Sequence, residues 1–156
     1  MQSSRRKVLQ RTGGLAVLGL AAAAGLVKPG VARAEAWNKA AFESNSVADA
    51  LKAVGAPQPV ESKDIALNSP DIAENGAVVP FAVESRIPNT QSIALLIEKN
   101  PNVLAADFQI PQGTDPWINT RVKMAQTSRV IALVKADGKY YYNAKEVKVT
   151  LGGCGG

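Results

Sequence analysis

Residues 129–151 read RVIALVKADGKYYYNAKEVKVTL, a succession of β-strand patterns interrupted by one turn. The turn is Asp137-Gly138, a residue pair favoured in the type I′ turns of two-residue β-hairpins. In the last part of the stretch, Val147, Val149 and Leu151 alternate with polar residues, which places the apolar side chains on one face of a strand. The stretch therefore predicts a hairpin followed by a strand that is buried on one side.

Similar short runs occur along the preceding sequence at spacings of roughly 8 to 12 residues, which is typical of an antiparallel β-sandwich. Asn75-Gly76 has the composition of a second type I′ hairpin turn. The predicted fold is mainly β, an immunoglobulin-like antiparallel β-sandwich. Its strands are expected at Asp64–Leu67, Ala77–Ser85, Ser92–Glu98, Val103–Ile110, Asn119–Ala125, Arg129–Lys135, Lys139–Asn143 and Glu146–Leu151.

A short helix is predicted before the sandwich. Ser46 has the residue type of an N-cap, and Asp49 follows three residues later, as in a capping box. Gly55 supplies a stop signal at the C-terminal end of this helix. Just upstream, Trp37 to Phe42 has the apolar content for a further turn or two of helix.

Three apolar features leave alternatives open. The run Ile93–Ile97 is apolar without alternation, so this strand either lies centrally in the core or has its second face against another subunit. The tyrosine run Tyr140–Tyr142 cannot face one core throughout, and either sheet packing or a subunit interface accounts for the outward side chains. Trp117 either caps the edge of the sandwich or marks a contact.

The N-terminal sequence predicts an exported, periplasmic protein. Arg5 and Arg6 form the arginine pair of a twin-arginine signal, and an apolar stretch follows over residues 13–27. This stretch is shorter than the roughly 20 residues that cross a bilayer, which favours a removable signal over a membrane anchor. Ala34 ends an Ala-x-Ala cleavage site, so residues 1–34 are the expected signal peptide.

Removal of residues 1–34 changes the charge of the chain. The precursor has 18 Lys and Arg residues against 13 Asp and Glu, but six of the cations and none of the anions lie in the signal. The mature protein then has 12 cations against 13 anions, a net charge of −1. This balance gives no electrostatic support for a nucleic-acid partner or an anionic membrane surface. Residues 35–151 are the expected domain of helix and β-sandwich.

The composition excludes several kinds of catalytic site. The chain has no histidine, which removes Ser-His-Asp triads, histidine metal ligands and proton transfer by imidazole. Its one cysteine cannot form an internal disulfide or a Cys-x-x-Cys redox pair. We therefore expect no catalytic residues, no metal site and no enzyme activity of the chain alone.

The single cysteine, Cys154, lies in the C-terminal sequence Gly152-Gly153-Cys154-Gly155-Gly156. Glycine has no Cβ and adds little girth, so such a segment can carry a thiol into a narrow active site. From Leu151 the sulfur would reach roughly 10 Å or a little more. Residues 152–156 are predicted to form a flexible arm with a reactive thiol, rather than a functionless frayed tail.

The twin-arginine signal, the helix followed by a sandwich, and the terminal sequence 152–156 together resemble the SoxY family, the sulfur carriers of bacterial thiosulfate oxidation. The segments Ala73–Pro80 and Ile87–Asn89 are also similar to that family. The resemblance covers essentially the whole chain, and the terminal pentapeptide is its most specific element. It implies a carrier without a cofactor, which holds sulfur intermediates covalently on Cys154.

The same resemblance implies the partners. A c-type haem enzyme would join thiosulfate to Cys154 as a cysteine S-thiosulfonate, a metal-dependent hydrolase would release sulfate, and a sulfane dehydrogenase would oxidise the remaining sulfur. Since the joining step removes two electrons and the sequence has no redox centre to accept them, other proteins must supply the haem and the metals. A SoxZ-like subunit would form a stable heterodimer with the chain, with Ser92–Glu98 or the tyrosine run in the interface.

Two other functions would use the same terminal sequence. A ubiquitin-like carrier would form a thiocarboxylate on Gly156, but the ATP that this step requires is absent outside the cytoplasm. A structural or adhesion sandwich would cross-link copies through Cys154. A disulfide-linked dimer through Cys154 is also expected as a resting or off-pathway state of a carrier in an oxidising compartment. Exchange of Cys154 for serine would leave only the ubiquitin-like function intact.

Overall fold

The computed structural model describes residues 37–150, which form two β-sheets and two short helices. The helices are α1 (Lys39–Phe42) and α2 (Val47–Ala53). The fold is mainly β, and the prediction of a β-sandwich with helix ahead of it is confirmed. The strands are β1 (Val60–Glu61), β2 (Ile65–Asn68), β3 (Ile72–Ala73), β4 (Val79–Ser85), β5 (Thr90–Ile97), β6 (Leu104–Gln109), β7 (Trp117–Val122), β8 (Ser128–Ala136) and β9 (Lys139–Val149).

The strands divide into a larger and a smaller sheet. The larger sheet has the order β1-β9-β8-β5-β6, and β3 also pairs with β9. The smaller sheet has the order β2-β4-β7. The two-residue strands β1 and β3 run parallel to β9, and the other pairs are antiparallel.

The two sheets pack face to face around the main core. Phe81 and Val83 of β4 belong to one buried cluster with Leu95 of β5 and Val134 of β8, and none of these four side chains is more than 1% exposed. Burial alternates along β4 with the period of two that a strand with one inward face requires. Apolar area removed from water in this layer is the main stabilising contribution to the fold.

The helices cover the opposite face of the larger sheet. Ser46 caps α2, and its hydroxyl oxygen accepts a hydrogen bond from the Asp49 amide at 3.1 Å, as the capping box predicts. Ala50 of α2 lies in a second buried cluster with Ala94 and Leu96 of β5. The described domain therefore has three layers, in the order helix, larger sheet and smaller sheet.

These three layers explain the unbroken apolar run Ile93–Ile97. Ile93 and Leu95 lie in the sandwich core, whereas Ala94 and Leu96 lie in the cluster under the helices. Because the chain itself fills both faces of β5, the prediction that Ser92–Glu98 supplies a subunit interface is wrong. The alternative of a central core strand is confirmed.

The tyrosine run is divided between the two faces of β9. Tyr141 packs against the sandwich core, and Tyr140 and Tyr142 pack against the helix cluster. The Tyr140 hydroxyl donates a 2.7 Å hydrogen bond to the carbonyl of Val54, at the C-terminal end of α2. Contacts within the chain thus account for all three half-buried side chains, which favours sheet packing over a subunit interface.

One of the two predicted hairpin turns is present. Asp137 and Gly138 have φ angles of 48° and 73° and join β8 to β9, as a type I′ turn requires. The prediction for Asn75-Gly76 is wrong, because the flanking strands β3 and β4 belong to different sheets and do not pair. The Asn75 side chain instead accepts a hydrogen bond from the Ala77 amide at 2.9 Å, which folds this segment into a local turn.

Other differences concern strand limits. The predicted strands Lys139–Asn143 and Glu146–Leu151 form one continuous strand, β9, as far as the structure describes it. β7 begins at Trp117 rather than at Asn119. No helix within residues 37–150 has the length and apolar character needed to cross a membrane.

Candidate functional site at the root of the C-terminal arm

The residues predicted to carry the function lie outside the described part of the chain. These residues are Cys154 with Gly152, Gly153, Gly155 and Gly156, and the export-signal residues Arg5, Arg6 and Ala34. Their roles stay predictions, as do the boundaries of the signal, domain and arm. The structure does describe β9 and Thr150, which immediately precede the predicted arm in the sequence.

One side of the end of β9 is held by a side chain instead of a strand. The last pair between β8 and β9 is Ser128 with Val147, so β8 offers no further backbone partner. Beyond it, the Thr127 hydroxyl oxygen accepts a hydrogen bond from the Val149 amide at 2.9 Å. The same hydroxyl donates a longer bond, 3.5 Å, to the Val149 carbonyl. Thr127 therefore continues the pairing of β9 by two hydrogen bonds.

The other side of the end of β9 is held by β3. The Lys148 amide donates to the Asp71 carbonyl at 2.9 Å, and the Thr150 amide donates to the Ala73 carbonyl at 3.1 Å. These bonds accompany the parallel register in which Ala73 lies beside Val149. We call Thr127, β3 and residues 148–150 the arm root. The arm root fixes the chain on both sides up to Thr150.

An ion pair ties the β3 segment to β9 next to the arm root. The Lys145 ammonium lies 2.8 Å from an Asp71 carboxylate oxygen and donates to the Ser69 carbonyl at 2.9 Å. This hydrogen bond from Lys145, reinforced by its charge, lowers the pKa of Asp71 below the ordinary value of 3.8. Since the Asp71 side chain is 90% exposed, solvent screens the pair and its contribution to stability is small.

The position of the arm root limits the reach of the thiol. Cys154 follows Thr150 by four residues, so its Cα atom can lie at most about 14 Å from that of Thr150 in an extended chain. Any group that reacts with the thiol must come within about this distance of the sheet end. Within residues 37–150 there is no cluster of three or more His, Cys, Asp or Glu residues able to hold a metal ion.

Comparison with protein families gives a match to the model described as sulfur oxidation protein SoxY, over residues 50–154. The chain belongs to the SoxY family. Its matched region includes most of the second helix, the nine strands described within residues 37–150, and Cys154. The resemblance that the terminal pentapeptide indicated is therefore confirmed over most of the domain.

Solved structures agree with this assignment to the SoxY family. The sulfur carrier protein SoxY from Chlorobium limicola f thiosulfatophilum is 35% identical, with a TM-score of 0.58 over 66% of this chain and 96% of that chain. A superoxide reductase (neelaredoxin) from Ignicoccus hospitalis has a TM-score of 0.50 over 55% of this chain and 79% of that chain. At 15% identity the second likeness shows a shared fold alone. Comparison with curated proteins gives no match.

Sequence reasoning missed the arm root of this SoxY-family chain. Two-residue strands such as β3 are too short for a periodic pattern, and a lone threonine between Gln126 and Ser128 carries no signal. The sequence signal that could have indicated β3 is Asp71, which precedes its short apolar pair, because a carboxylate at this position can pair with a lysine of the final strand. That pairing depends on the position of β9 beside β3, which no local sequence pattern indicates.

Proposed function

We propose that this protein is the periplasmic carrier of sulfur substrates in thiosulfate oxidation, with Cys154 as the covalent attachment point. The observation that carries the proposal is the SoxY family match, which extends through Cys154. The 35% identical structure described as a sulfur carrier protein supports the same role. In this role the chain catalyses nothing alone, and it presents bound intermediates to enzymes on its C-terminal arm.

The chemistry explains why a carrier needs partner enzymes. Joining the Cys154 thiol to thiosulfate forms one sulfur–sulfur bond and releases one proton and two electrons. A c-type haem enzyme would take up these electrons and leave a cysteine S-thiosulfonate. Attack of water on the terminal sulfonate group then releases sulfate and leaves a persulfide, the step assigned to a metal-dependent hydrolase. A sulfane dehydrogenase would oxidise the remaining sulfur, and a second hydrolysis would regenerate the thiol.

The arm root gives this cycle a fixed geometry. Thr127 and β3 hold the chain up to Thr150, so the segment that carries Cys154 begins at one defined end of the sheet. We propose that each enzyme docks at this end and draws the thiol into its own active site. The chain itself needs no cofactor for such a cycle, because the intermediates are bound covalently.

Export and assembly complete the proposal. A twin-arginine signal ending at Ala34 would deliver the folded protein to the periplasm, and a SoxZ-type subunit would accompany it as a stable heterodimer. A disulfide between two Cys154 thiols would be an inactive side state. Formation of that disulfide would be reversed by any thiol reductant that reaches the arm.

The test is the intact mass of the protein purified without reductant from thiosulfate-grown cells, with fragmentation of the C-terminal peptide. Sulfur, thiosulfonate or sulfonate adducts on Cys154, absent from thiosulfate-starved cells, are the expected result. A Cys154→Ser variant is the matched control and should carry no adduct. An unmodified thiol, or a self-disulfide alone, under every growth condition would contradict the carrier function.

A further inference from the structure

The strand β7 forms an open edge of the smaller sheet. β7 pairs with β4 alone, and within residues 37–150 no strand lies on its other side. The Ser85 amide donates to the Pro116 carbonyl at 2.9 Å, which fixes the phase of the antiparallel hydrogen bonds. In that phase Trp117, Asn119 and Arg121 direct their backbone N–H and C=O groups away from β4.

The Trp117 amide already donates to the Asp115 carbonyl at 2.8 Å, so the outward groups of Asn119 and Arg121 are the ones available for pairing with another strand. Among the described residues no hydrogen bond from a loop, turn or side chain reaches the backbone of Asn119 or Arg121, and both side chains are exposed. Such a row of free donors and acceptors can pair with a strand from another chain, unless a bulge, a proline or a covering segment prevents it. No bulge interrupts the register between β4 and β7.

The other edges of the two sheets are shorter or less regular than β7. β1 and β3 cover β9, and β2 is short, with its Ile65 carbonyl accepting a hydrogen bond from the Asn143 side chain at 2.6 Å. β6 pairs with β5 through an irregular register near Leu95, and the segment before it is tied to the helices by the Val103 amide, which donates to the Ser44 carbonyl. Within residues 37–150, β7 therefore offers a six-residue edge with an unbroken register.

A large aromatic side chain lies at the start of this edge. Trp117 is 55% exposed, so it does not cap the sandwich edge, which was one of the two sequence-based alternatives. A cleft of about 730 Å³ opens at the same end of the sandwich, and Pro111 and Pro116 of the loop leading into β7 line it. Exposed tryptophan next to a cleft is typical of the anchors that dominate protein interfaces.

The position of Trp117 is compatible with the carrier role. The far end of β7 leads to Met124, whose amide donates to the Gly76 carbonyl at 2.7 Å, close to the arm root. Trp117 lies at the opposite end of β7, about 17 Å away at the rise of an extended strand. A partner seated around Trp117 and Asn119 would leave the arm root accessible to enzymes.

We propose that the β7 edge, from Trp117 to Arg121, pairs with the edge strand of a second β-sheet protein, the stable subunit of the heterodimer. This inference rests on the proposed function for the identity of that subunit. Main-chain hydrogen bonds to Asn119 and Arg121 supply the pairing, and Trp117 supplies the buried anchor. The two sheets would then continue across the heterodimer.

The experiment measures binding of the SoxZ-type subunit of the same host to the full mature chain and its variants. Asn119→Pro removes one outward N–H without touching the bonds to β4, and Asn119→Ala is the matched control that keeps it. Trp117→Ala removes the anchor, and Trp37→Ala is the matched control at an exposed tryptophan near the helices. We expect at least roughly tenfold weaker binding for the two β7 variants and unchanged binding for the two controls.

Equal binding by all four variants would overturn the proposal, as would a chain that self-associates through β7 in place of binding the subunit. Thermal unfolding of each variant distinguishes a loss of binding from a loss of fold. Adducts on Cys154 in the same preparations test the carrier function separately. Adducts with binding that is insensitive to β7 would reject this inference and leave the carrier function standing.

Discussion

Loss of the Thr127 hydroxyl should loosen the arm root and extend the reach of the thiol. A Thr127→Val exchange keeps the β-branched shape but removes the acceptor of the Val149 amide and the donor to its carbonyl. A hydrogen bond of this kind stabilises its partners by about 1 kcal/mol, which corresponds to a roughly fivefold change in a local opening equilibrium. Opening would release Val149 and Thr150 from β9 and add two residues, about 7 Å, to the reach of the thiol.

Hydrogen exchange of individual amides measures this opening. The Val149 amide should lose its protection in Thr127→Val, because its acceptor is gone. The informative amide is that of Thr150, which donates to the Ala73 carbonyl and keeps its acceptor in the variant. We expect its exchange to become roughly fivefold faster, with Thr127→Ser as the control that restores the hydroxyl. Unchanged protection of Thr150 would show that β3 alone holds the arm root and would refute the reasoning.

Three further predictions concern the domain. Gly138→Ala should destabilise the fold by about 1 kcal/mol in thermal unfolding, because φ is +73°, a left-handed backbone conformation that a residue with a Cβ rarely adopts, although the Cβ itself would meet open space. At pH values above its ordinary pKa, the ionised Asp71 carboxylate stabilises β3 through Lys145, and this effect is lost as the pH falls through the lowered pKa of the folded state. The protection of the Lys148 amide against hydrogen exchange should therefore decrease over this pH range in the wild type. In Asp71→Asn, which has no carboxylate to protonate, the protection should not change over the same range. Leu96→Ala should cost about 2 to 5 kcal/mol in chemical unfolding, and a loss below about 1 kcal/mol would contradict its burial under the helices.

The sequence predicted the elements whose signals are local. A type I′ turn requires two successive residues in the left-handed conformation, and Asp137 and Gly138 adopt it readily. Between two strand patterns, this residue pair therefore indicates a hairpin. Ser46 and Asp49 likewise act within a single helical turn. The alternation of Val147 and Val149 follows from the pleat of one strand. Each of these predictions required no knowledge of which strand lies beside which.

The errors involve neighbours that are distant in sequence. Asn75-Gly76 has hairpin composition, but β3 pairs with β9 and β4 with β2 and β7, so the same turn connects two sheets. The second face of Ile93–Ile97 is covered by a helix that begins more than 40 residues earlier at Val47, which an apolar run cannot distinguish from a partner subunit. The arm root was missed for the same reason, since Thr127 and β3 acquire their roles from β9.

The parallel pairs that close the edge of β9 also determine when the carrier can finish folding. Val60 lies beside Tyr141 and Ile72 beside Lys148, so each contact closes a loop of about 80 residues and gives the domain a high contact order. The last strand of the domain is one member of both contacts. Strand β9 must therefore be synthesised before segments 60–61 and 72–73 have a partner. A chain truncated before β9 would lack Cys154 and would leave β1, β3 and β8 without their shared neighbour, so the thiol can be present only on a chain that already contains the strand that closes the sheet.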